Sequence, residues 1–132
     1  MQISAITLGC SDLSRSVAFY EQWFDVPASV DGSGVAYFFK QGTPLALFAR
    51  DALANYCGVG SHGSGFRAMT LSINLTSEAA VMHLAQRACA LGAQLVREPG
   101  AVDWGGYIAW IGDLDGHLWE LVFNPSRPTA NA

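Results

Sequence analysis

Alternation and helical spacing of the apolar positions divide the chain into a series of elements that runs twice. Residues 2 to 10 alternate as a strand, with Ile6, Leu8 and Cys10 on a bulky face and Ala5, Thr7 and Gly9 on a small one. Ser11 or Asp12 then caps a helix in which Leu13, Val17, Tyr20 and Phe24 recur at spacings of four, three and four, a stripe fit to lie on a sheet. After Pro27 come a turn around Asp31-Gly32-Ser33-Gly34, a strand-like Val35 to Lys40, a Gly42-Thr43-Pro44 turn and a strand-like Leu45 to Arg50. Asp51 to Phe66 holds Gly58, Gly60, Gly63 and Gly65, and reads as a flexible connection with a short helical turn at its start.

The grammar then repeats. Ala68 to Leu75 reads as a strand, and Thr76 or Ser77 caps a helix with Val81, Leu84, Ala85, Ala88 and Leu91 buried and Gly92 at its end. Gln94 to Arg97 is a strand, Glu98 to Asp103 a loop, and Tyr107 to Ile111 with Leu118 to Phe123 a hairpin turned by Asp113-Leu114-Asp115-Gly116. Ile6-Thr7-Leu8 matches Met69-Thr70-Leu71 at an offset of 63. Alternation sends Met69, Leu71, Ile73 and Leu75 toward a helix and leaves Ala68, Thr70, Ser72 and Asn74 on the other face, small and polar enough to line a cavity. In the hairpin, Leu118, Glu120 and Val122 point one way, and Trp119, Leu121 and Phe123 the other. Glu120 is thus a carboxylate among apolar neighbours.

Composition narrows the function classes. A chain of 132 residues, 51% apolar, is the size of one domain with a real core. Its net charge of −4, with seven scattered Lys and Arg, offers no basic stripe for nucleic acid or anionic lipid. No apolar run reaches the roughly 18 residues of a membrane span. Cys10, Cys57 and Cys89 have no metal-type spacing and suit reduced, packed thiols in a cytoplasmic protein.

Two stretches carry a family likeness: Leu8-Gly9-Cys10-Ser11-Asp12-Leu13 with Ser16-Val17-Ala18-Phe19-Tyr20, and Trp104-Gly105-Gly106-Tyr107 with Asp113-Leu114-Asp115-Gly116-His117-Leu118-Trp119-Glu120. Through them the chain resembles the vicinal oxygen chelate superfamily of glyoxalase I, bleomycin-resistance proteins and extradiol dioxygenases. Leu114 stands where that family usually has proline. The resemblance implies an α+β fold of two tandem βαβββ modules whose curved mixed sheets enclose a cavity, and it implies a homodimer. Module 1 would span about 1–57, the glycine-rich connection about 58–66, module 2 about 67–125 and a mobile tail 126–132. It also places the four metal-ligand positions of metal-dependent members at Ala5, Ala46, Ala68 and Glu120. A methyl group donates no lone pair, and a first-row metal needs about three protein ligands. No metal or other cofactor is therefore expected, and His62, His83 and His117 fall where they form no ligand pair.

Three functions remain open on these residues. The first is a metal-free binding protein of bleomycin-resistance type, holding a planar or amphipathic small molecule. Phe48, Trp104, Tyr107 and Trp110 would supply flat surface, Thr7, Thr70, Ser72 and Asn74 hydrogen bonds, and Glu120 a partner for a cation. The second is a lactoylglutathione lyase-like enzyme with Glu120 as general base, which lacks the electrophile that stabilises an enediolate. The third is a non-catalytic dimerisation domain.

Overall fold

The computed structural model describes residues 1–127. The chain divides into two compact units, Met1–Ser64 and Gly65–Ala132, at a point inside the glycine-rich connection. In the first, β1 (Ile6–Cys10), α1 (Leu13–Phe24), β2 (Ser29–Val30), β3 (Ala36–Phe38), β4 (Leu45–Ala49) and α2 (Arg50–Cys57) follow one another. Its sheet runs β1-β4-β3-β2, with β1 parallel to β4 and the other pairs antiparallel. The second unit contains β5 (Thr70–Leu75), α3 (Glu78–Ala90), β6 (Gln94–Ala101), β7 (Tyr107–Gly112) and β8 (Leu118–Phe123). Its sheet runs β5-β8-β7-β6 with the same pattern of one parallel and two antiparallel pairs. The expected α+β architecture of two βαβββ modules is present, and both sheets are open at their edges.

Asp12 caps α1 by accepting from the Arg15 amide at 3.1 Å, and Ser77 caps α3 by accepting from the Ala80 amide at 3.0 Å. The buried stripe of α1 is Ser16, Phe19, Tyr20 and Trp23, so the helix is rotated from the expected Leu13, Val17, Tyr20 and Phe24. The apolar side of this helix is broad, and the larger rings of Phe19 and Trp23 win the interior because they remove more surface from water. Tyr20 sits edge-on to Phe19, with centroids 5.0 Å apart, and 6.1 Å from Phe38 of β3. In the second unit Val81, Ala85 and Ala88 are the buried face of α3, while Leu84 and Leu91 are only half-buried. Opposite them lie the interior residues Ala109, Ile111, Trp119 and Leu121.

Several boundaries differ from those read off the sequence. Arg50–Cys57 is a full helix where connection was expected, closed by Gly58 at φ 80°. Beyond it the glycine-rich stretch is tied rather than free, since Arg50 donates to the Ser61 carbonyl at 2.8 and 3.0 Å and to the Gly63 carbonyl at 2.7 Å. The loop predicted from Glu98 belongs to β6, which continues to Ala101 through two register shifts. The two-residue β2 gives no sequence period and went unseen. β5 starts at Thr70, because Ala68 is left-handed at φ 55° and ends the extended run. Cys10 is buried and Cys89 half-buried, but Cys57 is exposed rather than packed; none forms a disulfide among the described residues. Of the tail, Ser126 and Arg127 form a turn in which the Arg127 amide donates to the Asn124 carbonyl, and 128–132 lie outside the described residues.

Candidate functional site

The two N-caps, Asp12 and Ser77, stand 65 residues apart, as do the strand ends Cys10 and Leu75. The structural repeat is therefore offset by 65, not by the 63 that aligns Ile6-Thr7-Leu8 with Met69-Thr70-Leu71. A cap and a strand end are fixed by geometry, whereas a three-residue likeness is satisfied by any alternating segment. Thr7, registered beside Ala46, is then equivalent to Ser72, registered beside Glu120. By this offset the structural counterpart of Ala5 is Thr70 rather than Ala68.

Register across the second sheet sets Ser72, Glu120 and Trp110 side by side on β5, β8 and β7, and continues to Arg97 on β6. Partners in register share a face, so this row lies opposite α3. The Ser72 hydroxyl donates to Glu120 Oε1 at 3.0 Å. Glu120 is half-buried and Ser72 exposed, so the carboxylate keeps access to a guest. The rows on either side are Thr70, Leu118 and Gly112, and Asn74, Val122 and Ile108. Ile108 and Val122 are buried, at 5% and 7% exposure, while the β5 positions Thr70 and Asn74 keep contact with solvent. The result is a polar margin beside an apolar floor.

Of the residues read from the sequence, the structure brings Thr70, Ser72, Asn74, Trp110 and Glu120 onto one face. Thr7 and Phe48 belong to the first unit, on the face of its sheet that carries Ala46. Tyr107 goes the other way. It is in register with Phe123 and lies beside α3, because strand alternation puts it one step out of phase with Trp110. Trp104 is 54% exposed and folds over Gly106, where any Cβ would meet its ring at 2.0 Å. The two glycines thus serve the indole and a tight connection, in which the Val102 amide donates to the Gly106 carbonyl at 2.9 Å.

Arg97 is the member of the row that sequence reasoning missed. A strand of plain alternation would turn it away from the face of Val96, but the shift between Leu95 and Arg97 puts Val96 and Arg97 together opposite Trp110. A Cβ on Gly112 would touch Val96, which confirms the face. Nothing in the period signalled it, since β6 also carries the charge of Glu98.

Within the second unit, Glu120 is hydrogen-bonded to Ser72 and Thr70 offers a hydroxyl one row away, fewer donors than the about three protein ligands a first-row metal needs. Among the described residues no three of His, Cys, Asp and Glu come together. His62 and His83 are exposed, and the His117 amide is used in the hairpin turn.

A family model, the Glyoxalase/Bleomycin resistance protein/Dioxygenase superfamily, matches residues 2–121. A lactoylglutathione lyase of Arabidopsis thaliana is 31% identical over 89% of this chain and 42% of its own length. A putative lactoylglutathione lyase of Brassica oleracea is 34% identical with the same coverage. The chain therefore spans less than half the length of these curated relatives. The crystal structure of a glyoxalase-related enzyme from Fulvimarina pelagi superposes with a TM-score of 0.83 at 34% identity, covering 94% of this chain and 88% of that one. A hypothetical protein from S. aureus has a TM-score of 0.82 at 20% identity, covering 93% of each, and shows the shared fold.

Proposed function

The chain belongs to the glyoxalase/bleomycin resistance protein/dioxygenase superfamily, and from that footing we propose that it binds a small molecule without a divalent metal, on the Glu120 face of its second sheet. The observation that carries this reading is the hydrogen-bonded pair of Ser72 and Glu120 in register with Trp110. At a position that the resemblance equates with a metal ligand, this chain holds its carboxylate with a hydroxyl and sets an indole beside it. Such a pair is suited to a guest with a flat apolar body and a cationic or hydrogen-bond-donating group. Ile108 and Val122 supply the dry floor, and Thr70 and Asn74 supply orienting polar groups. No helix among the described residues is long and apolar enough to cross a membrane. The reading takes the protein as a cytoplasmic homodimer on the family resemblance and on thiols that form no disulfide among the described residues. A thermal-shift screen of planar cations and phenols tests it: ligands that raise the melting temperature should lose that effect in Glu120→Gln while the variant stays folded.

A second reading, proton transfer by Glu120 next to a carbonyl, has Arg97 in its favour. Neighbouring strands lie about 4.8 Å apart, so Arg97 is roughly 10 Å from Glu120 at the backbone and within reach of a guest lying across Trp110. A guanidinium there could hold charge that develops on oxygen. Turnover that vanishes in both Glu120→Gln and Arg97→Met would raise this reading above simple binding.

A further inference from the structure

Two bulges in succession sort the side chains of β6 in pairs. The first sets Val96 and Arg97 opposite Trp110, on the Glu120 face. The second sets Glu98 and Pro99 together opposite Ala109, so both turn to the side of α3. There they form one wall of a groove of about 440 Å³, whose other wall is α3. That volume is within the range of small-molecule sites, roughly 300 to 1,000 Å³. The groove is on the opposite face of the sheet from Glu120, and nothing in the proposed function uses it.

Its chemistry is specific. Met82 on the helix and Leu95 on the strand form the lips and remain 43% and 40% exposed, an apolar pair that a guest would cover. Among the described residues that line it, Glu98 is the one charged side chain, with no lysine or arginine in the lining to neutralise it. Tyr107 adds a ring that can face a cation. The chain as a whole carries −4, which favours a positive guest further. We propose that this groove is a second binding site, for a compact amphiphile with one ammonium group: its apolar body lies between Met82, Leu95 and Pro99, and its cation rests between Glu98 and Tyr107.

The probe is phenethylammonium, titrated calorimetrically into the full chain beside two relatives of equal shape, 2-phenylethanol and phenylacetate. The ammonium should bind saturably, the alcohol at least tenfold more weakly, and the carboxylate not at all. Glu98→Gln, an exposed position whose change leaves the fold intact by circular dichroism, should cost the ammonium about tenfold and leave the alcohol unchanged. Phenethylammonium also suits the Glu120 face, so the titration is repeated in Glu120→Gln: the component of binding that Glu98→Gln removes should persist there, and only the remainder should be lost. Cys89 lines the groove and Cys57 is exposed on α2, so bound ammonium should slow alkylation of Cys89 and spare Cys57. Equal binding of all three probes would overturn the proposal, as would loss of the ammonium in Glu120→Gln with no effect of Glu98→Gln. It also fails if no probe binds and sedimentation shows a dimer that Met82→Glu dissociates, because the groove would then be filled by a second copy.

Discussion

The hydroxyl of Ser72 donates to Oε1 of Glu120 at 3.0 Å, joining the edge strand β5 to the strand that carries the carboxylate. The bond occupies one of the two carboxylate oxygens and fixes the plane of the other. Removing it should therefore alter recognition more than folding. Ser72→Ala is expected to change stability by no more than about 1 kcal/mol, since the pair is solvent-accessible. The same variant should weaken any ligand that Glu120→Gln also weakens, and the double variant should lose less than the sum of the two. Additive losses in that cycle would mean that the two groups act separately.

The Glu120 carboxylate, tied to Ser72 with no histidine or second carboxylate grouped with it among the described residues, leads to a second expectation. Purified protein should carry no stoichiometric Zn, Ni, Mn or Fe, and added metal should not produce turnover of methylglyoxal with glutathione. Elemental analysis finding one metal ion per chain would reverse this, as would metal-stimulated activity.

The turn before β3 provides a pH test. The Asp31 carboxyl is held below the ordinary aspartate value, first by the Ser33 hydroxyl and then by the Ser33 amide, both of which donate to it. A lowered value means that the charged form is favoured in the fold. The contribution is therefore complete above the unfolded value of 3.8 and disappears as pH falls through the folded one. The group is fully exposed, so the effect should show in the titration of Asp31 rather than in global stability. In a carbon-detected NMR titration its midpoint should move upward in Ser33→Ala; an unchanged midpoint would remove the hydroxyl as the main cause.

Periodicity found most of the elements because the strands and helices obey their own spacings, and the closing hairpin was legible nearly to the residue. The errors have physical causes. The apolar side of α1 is broad, so spacing alone could not choose its buried stripe, and ring size decided. Arg97 and Glu98 depend on bulges, which break the period that makes a strand readable. Ala68 was aligned by a short sequence likeness, and only the capping geometry of Asp12 and Ser77 showed that Thr70 holds that place. Alternation separated Glu120 from Trp119 and Leu121, but its tie to Ser72 depends on parallel register, to which a single strand gives no clue.

The aspartate that turns this hairpin should matter more to stability than any residue of the site. Asp113 is 6% exposed, and its Oδ1 accepts from the amides of Asp115 at 2.9 Å and His117 at 2.8 Å. Its own backbone closes the turn, with its amide donating to the His117 carbonyl at 2.9 Å and its carbonyl accepting from the Gly116 amide at 3.1 Å. Asp113→Ala strands two amides where the chain folds back, and hydrogen bonds to a charged acceptor are worth roughly 1.5 to 3 kcal/mol. A loss of about 2 to 3 kcal/mol is expected in urea denaturation, with the slope unchanged. Asp113→Asn keeps an acceptor oxygen but not the charge, and should lose about half as much. Because the turn sets the register of β7 against β8, and so Trp110 beside Glu120, Asp113→Ala should also weaken ligand binding while still folded. An Asp113→Ala midpoint equal to that of the parent chain would show that the strands hold their register without the turn.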